Sequence, residues 1–188
     1  MKKLLLSAVV LAAMLTSCKQ EVKTVEAPVQ TETTPTVETD TVAAKAAVEK
    51  EKEELAKPYN EQEDAQAKLN ELIAKAKKEG KNVFVQAGGN WCIWCLRFND
   101  FVQKNEEIKK VVDANYEYYH LNYSKENKNK EIFAKYAPEG LELGFPFFFV
   151  INGNGEVTKV FGSGDLEADK SYDAAKVKQM FMDNAPKK

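Results

Sequence analysis

Sulfur is the most versatile chemistry this 188-residue chain carries, in three cysteines, and a single histidine is its only near-neutral titrating side chain. Two of the cysteines stand in Trp91-Cys92-Ile93-Trp94-Cys95, where two intervening residues bring both sulfurs onto the first turn of a helix and within bonding reach. Such a pair can cycle between dithiol and disulfide: one thiolate attacks a foreign disulfide and the other resolves the mixed disulfide that forms. A helix beginning at the first cysteine turns Cys92 toward unsatisfied N–H groups and the positive end of the dipole, both of which favour a thiolate. Cys95 then points toward the body of the domain, so Cys92 is the expected nucleophile and Cys95 the resolving thiol. The same pair is half of a structural zinc site, but the domain holds no further cysteine and one histidine, so no metal is expected. A metal or haem-maturation role for the dithiol, with ligands shared by a partner, stands as an alternative.

The third cysteine has a different setting. Lys2 and Lys3 precede an apolar run from Leu4 to Leu15 and then small residues, the pattern of a secretory signal peptide over residues 1–17. The run is too short for a permanent membrane span. It ends in Leu15-Thr16-Ser17-Cys18, which resembles a bacterial lipobox and implies lipidation of Cys18. The other reading is a plain cleaved signal or an uncleaved anchor with Cys18 incidental. Lipidation would also remove the odd thiol of an exported three-cysteine protein. An extracytoplasmic protein, lipid-anchored to a bacterial membrane at its periplasmic face, is therefore expected, in a compartment where a close cysteine pair can be oxidised.

A net charge of -2 and a pI near 5.7 give no electrostatic case for nucleic acid. The lysines around Lys125 to Lys130 read as a solvated helix or loop. All ten phenylalanines, seven tyrosines and two tryptophans lie at or beyond Tyr59. Residues 18–58, rich in Thr, Val, Glu, Pro and Ala, cannot bury enough apolar surface to offset chain entropy and are expected to be a flexible linker. Val42 to Lys57 has the composition of a solvated helix. If flexible, the linker lets the domain range roughly 30 to 40 Å from the lipid.

Residues 59–188 have a globular pattern. Ala65, Leu69, Leu72, Ile73 and Ala76 repeat at helical spacing before Gly80, placed as a C-cap. Asn82 to Gln86 reads as a strand and Ala87 to Asn90 as a turn into the cysteine pair. The following helix has Phe98, Phe101 and Val102 on its apolar face, and Asn105 can cap a further helix over Glu106 to Ala114. A strand over Tyr116 to Asn122, a helix over Lys128 to Tyr136 and an interruption at Gly144-Phe145-Pro146 come next. Phe147 to Ile151 and Glu156 to Phe161 flank Asn152-Gly153-Asn154-Gly155 as a hairpin, and Asp173 to Asn184 closes the chain as a helix burying Ala174, Val177, Met180 and Phe181. The order predicts an α/β domain, a mixed central sheet flanked by helices on both faces.

The cysteine pair after an apolar strand, with Gly144-Phe145-Pro146 some fifty residues later before Phe147-Phe148-Phe149-Val150 and a hairpin, resembles the thioredoxin-like superfamily over essentially the whole globular part. That resemblance implies a cis proline at Pro146 lying against the cysteines, with Phe145 offering its backbone to an extended substrate. An ordinary proline at the start of a strand is the other reading of Pro146. It also implies a substrate surface around Trp91, Ile93, Trp94, Phe145 and Pro146. Six residues before the first cysteine, where many members carry a buried acid, stands Gln86, which cannot titrate. His120 falls roughly where members place a lysine facing that acid, making it a candidate for proton transfer; the simpler expectation is a hydrogen-bonded or exposed histidine.

The resemblance thus implies a monomeric protein thiol-disulfide oxidoreductase needing no cofactor beyond the redox-active Cys92–Cys95 disulfide. Its partners are protein thiols or disulfides and a membrane electron donor or acceptor; reduction is the favoured direction, although no residue specifies it. The rival reading is a non-catalytic binding module with the disulfide as a staple, which gains little from so short a loop.

Overall fold

A computed structural model describes residues 37–187, with side chains from Val42 onward. The signal segment, Cys18 and the first part of the linker lie outside the described residues. Helix α1 (Val37–Glu54) is followed by α2 (Ala65–Glu79), β1 (Asn82–Gly88), α3 (Ile93–Lys104), α4 (Glu106–Asn115), β2 (Tyr116–Asn122) and α5 (Lys130–Tyr136). A short 3-10 turn at Gly140–Leu143 leads into β3 (Phe147–Ile151) and β4 (Val157–Gly162), and a second at Gly164–Leu166 into the short strands β5 (Glu167–Ala168) and β6 (Ser171–Tyr172); α6 (Ala174–Asp183) closes the chain.

The four longer strands form one sheet in the order β2-β1-β3-β4. β1 runs parallel to β2 and antiparallel to β3, and β3 is antiparallel to β4, so β1 and β3 are central. Both central strands are buried along their whole length, which is why they read as nearly continuous apolar runs. Alternate side chains divide between two cores. Val83, Val85, Ala87, Phe147, Phe149 and Ile151 face α2 and α5, whereas Phe84, Phe148 and Val150 pack with α3, α4 and α6. Phe84 is the hub of the second core, with ring centroids of Phe148 at 5.3 Å and Phe181 at 4.7 Å. This is the mixed sheet with flanking helices that the element order predicts.

The helix ends follow the local sequence. Asp64 Oδ1 accepts the Ala67 N–H at 2.9 Å at the start of α2, and Gly80 ends it in the left-handed region at φ 68°. Asn105 caps α4 as expected, accepting the Ile108 N–H at 3.1 Å. Asp173 does the same for α6.

Several boundaries differ from expectation. β1 runs on to Gly88 because it stays paired with β2 through Asn122, so Ala87 and Gly88 belong to the strand. The helix over the cysteines starts at Ile93, with Cys92 as an extended N-cap. α5 starts at Lys130, after Asn129 in the left-handed region, which leaves Lys125 and Lys128 exposed in a loop. Ala174 is exposed; the buried stripe of α6 is Val177, Met180 and Phe181, because the first turn beside the Asp173 cap lies at the surface. The β5–β6 ribbon was not anticipated, two-residue strands being too short to show a period.

The expected helix before Tyr59 is α1, longer at its start than Val42 and mostly exposed. Its C-terminal end is held on α3. The Arg97 guanidinium donates to both carboxylate oxygens of Glu51, at 2.7 and 2.6 Å, and Leu55 packs against the cluster of Tyr59, Cys92, Cys95 and Leu96.

Candidate redox site

β1 carries the chain to the rim of the sheet, where Gly88 and Gly89 leave room for what packs above them. A Cβ on Gly88 would stand 2.5 Å from Cys95 Sγ and 2.8 Å from the Tyr59 hydroxyl, and one on Gly89 would collide with the Trp91 indole. The turn closes when the Cys92 N–H donates to the Gly89 carbonyl at 3.0 Å. Cys92 then caps α3: the Cys95 N–H donates to Cys92 Sγ at 3.1 Å. A cap of this kind normally uses oxygen, and a sulfur receiving a helix-end N–H is stabilised most when it is anionic. The two cysteines are joined as a disulfide with Cα atoms 5.2 Å apart. Cys92 keeps a sliver of exposure at 6 %, whereas Cys95 has none.

Across the disulfide lies the loop before β3. The Phe145-Pro146 peptide bond is cis, Pro146 is buried, and the Phe145 carbonyl oxygen lies 3.7 Å from Cys92 Sγ. Trp91 is half exposed, its indole N–H donating to the Tyr123 carbonyl at 2.7 Å and its ring meeting Phe145 edge-on at 5.5 Å. Trp91 and Tyr123 also line a largely apolar groove of about 550 Å³ with Lys125 and Lys128 at its margin. Trp91, Phe145 and Pro146 are thus gathered around Cys92. Ile93 is half-buried at the start of α3. Trp94 is held on its own side, with the Arg97 guanidinium 4.9 Å from its ring, Tyr172 edge-on at 5.7 Å, and its carbonyl accepting the Tyr172 hydroxyl at 3.0 Å.

Beneath the disulfide, Gln86 occupies the position where an acid was the implied alternative, and its amide is fully engaged. The NH2 group donates to the Tyr59 hydroxyl at 2.6 Å and to the Cys95 carbonyl at 2.8 Å, while the amide oxygen accepts the Tyr118 hydroxyl at 2.5 Å. Burial pushes the Tyr59 and Tyr118 phenols well above their ordinary value, so both are neutral at physiological pH. His120 stands directly across the strand pair from Gln86, between the rings of Tyr59 at 5.3 Å and Tyr118 at 5.0 Å. It is neither exposed nor hydrogen-bonded through Nε2, which is buried with no partner among the described residues. Burial lowers its pKa to about 4, which keeps the ring neutral at pH 7.

Sequence reasoning missed Tyr59 and Tyr172. Tyr59 is fixed by its backbone: its N–H donates to Asn90 Oδ1 at 3.2 Å, and Asn90 Nδ2 donates to its carbonyl at 2.8 Å. The available signal was that Tyr59 is the first aromatic residue after a long stretch with none. Among the described residues no cluster of three or more His, Cys, Asp or Glu side chains is placed to hold a metal, and no helix is long and apolar enough to cross a membrane.

The sequence profile of the thioredoxin-like family matches residues 64–153. No curated protein matches the chain by sequence. Among solved structures, a disulphide isomerase from Xylella fastidiosa Temecula1 superposes with a TM-score of 0.61 at 22% identity, over 69% of this chain and 97% of that one. The oxidised C-terminal domain of Neisseria meningitidis DsbD gives 0.46 at 17% identity, covering 64% of this chain and 96% of its own. A DsbH oxidoreductase gives 0.45 at 21%, covering 59% and 77%.

Proposed function

From the premise that this is a thioredoxin-like domain with a Cys92–Cys95 disulfide, we propose that it is a protein thiol-disulfide oxidoreductase in which Cys92 attacks and Cys95 resolves. The observation that carries this reading is the Cys95 N–H donating to Cys92 Sγ at the open end of α3. A hydrogen bond to a charged group contributes about 1.5–3 kcal/mol, and each 1.36 kcal/mol is one pKa unit in favour of the thiolate. Among the described residues no N–H donates to Cys95 Sγ, and this cysteine has no exposure to substrate, which suits the resolving role.

In the reductive direction the Cys92 thiolate attacks a substrate disulfide, releasing one substrate thiolate and forming a mixed disulfide. Cys95, deprotonated, then attacks Cys92 Sγ; the Cys92–Cys95 bond forms, and the second substrate sulfur leaves and takes up a proton. The oxidative direction is the reverse, and reduction remains our favoured sense. Trp91 and Phe145 offer adjoining apolar faces beside Cys92, and the Phe145 backbone is available to an extended substrate segment, whose main chain would pair there as an added strand. The lipidated Cys18, a linker over 18–58 and a periplasmic membrane location, with an electron donor or acceptor in that membrane, belong to the same proposal and rest on the sequence pattern.

Cys95→Ser is expected to accumulate covalent mixed disulfides with substrate proteins, and Cys92→Ser to accumulate none. Trapping through Cys95 alone would reverse the assignment, and trapping through neither would favour a binding module.

A further inference from the structure

A resolving cysteine must lose its proton in a buried place, and with Gln86 beneath it this site has no carboxylate in the expected position. We infer that the Tyr59 hydroxyl fills that role by donating a hydrogen bond to the Cys95 thiolate, lowering the cost of forming it. The inference rests on the proposed roles of the two cysteines.

Four features carry it. The hydroxyl and the sulfur both lie close above Gly88, where a Cβ would stand 2.8 Å from one and 2.5 Å from the other, so the two atoms are no more than about 5.3 Å apart and a side chain at position 88 would displace both. Gln86 Nε2 already donates to the Tyr59 oxygen, so the phenolic proton is the part left to be directed elsewhere, and among the described residues it has no acceptor. Gln86 donates with its other N–H to the Cys95 carbonyl, which holds amide, phenol and cysteine in one rigid set. Finally, Tyr59 is pinned by Asn90, two residues before Cys92, so the phenol is positioned by the same loop that positions the cysteines. In the disulfide form the sulfur carries no charge and has little to accept. On reduction, or in the mixed disulfide, Cys95 regains a titrating thiol, and a neutral donor beside it favours the anion.

During resolution the Cys95 thiol proton passes to solvent, the Cys95 sulfur forms a bond to Cys92 Sγ, the bond between Cys92 and the substrate breaks, and its electron pair leaves on the substrate sulfur, which is then protonated. Tyr59 keeps its own proton throughout.

The test uses the full chain carrying Cys92→Ser, with the pH dependence of Cys95 alkylation by iodoacetamide read by peptide mass spectrometry, which separates it from Cys18. Adding Tyr59→Phe should raise the midpoint by about one unit, a tenfold loss of thiolate at a given pH below it. Tyr118→Phe removes a buried hydroxyl from the same amide but from no sulfur, and should move the midpoint far less. An unchanged midpoint in Tyr59→Phe, or an equal shift in both variants, overturns the inference. Should Tyr59→Phe fail to fold, 3-fluorotyrosine at position 59 keeps the ring and makes the phenol a stronger donor; the midpoint should then fall, and no change overturns the inference. None of these readouts involves a substrate, so failure here is separable from failure of the cysteine assignment, which the trapping of mixed disulfides reports.

Discussion

His120 illustrates how a residue's surroundings decide its chemistry. Its position opposite Gln86 matches the expectation, but two tyrosine rings and burial replace the hydrogen bond or exposure that a lone strand histidine usually has. With a folded pKa near 4 against an ordinary 6.5, the folded state binds fewer protons than the unfolded chain between those values. Stability therefore rises with pH through that window and is lost as pH falls from about 6.5 toward 4, by about 3 kcal/mol for this group alone. His120→Phe keeps an aromatic ring and removes the titrating nitrogen. Urea unfolding of this variant should show a flatter stability profile between pH 7 and 4; an undiminished slope would mean that His120 is not the group responsible. A base this weak is poorly matched to receiving a thiol proton near neutrality.

Among the elements, α3 does most to organise the site, because its first turn supplies the N–H that Cys92 accepts and its outer face holds α1. The contact with α1 is narrow. Glu51 and Arg97 form a two-pronged pair, Arg97 also stacks over Trp94, and most of α1 is exposed. The carboxyl of Glu51 is held below its ordinary range first by the Arg97 hydrogen bond, so this pairing is present at neutral pH and weakens as pH falls through the lowered value. A partly exposed ion pair contributes at most about 1 kcal/mol. Arg97→Ala should accordingly leave global stability within about 1 kcal/mol of the parent while speeding amide exchange in the last turns of α1. If exchange there is unchanged, α1 is held by Leu55 and its neighbours instead. Arg97→Ala also removes one of the two partners that hold Trp94 beside the cysteines, so the residue that clasps α1 supports the rim of the site as well.

At the scale of the molecule, the sheet places two loops some fifty residues apart in the sequence around one disulfide: the end of β1 with the start of α3, and the loop before β3. The balance between thiolate stabilisation at Cys92 and packing of the disulfide sets the direction of electron flow. Equilibration of the full chain with glutathione or dithiothreitol mixtures is expected to give a potential nearer the roughly -270 mV of thioredoxin than the roughly -120 mV of a strong oxidant, in keeping with a reductase. A value near the latter would reverse the proposed direction.

Much of this was legible in the sequence because it depends on short-range rules. Periodicity, Gly80, Asn105 and the Asn-Gly turn after β3 marked the elements, and a cysteine pair at a strand-to-helix junction marked the chemistry. Resemblance to a family placed Pro146 beside it. Only the tertiary structure decided how the proton-bearing groups are arranged: Tyr59 arrives from before α2, Gln86 and His120 from adjacent strands, and Tyr172 from a ribbon too short to have a pattern. Hydrogen-bond partners of buried polar groups are chosen by three-dimensional proximity, not by spacing along the chain, so the one signal at Tyr59, a first aromatic residue at the edge of a polar linker, marked a buried residue but not its partners.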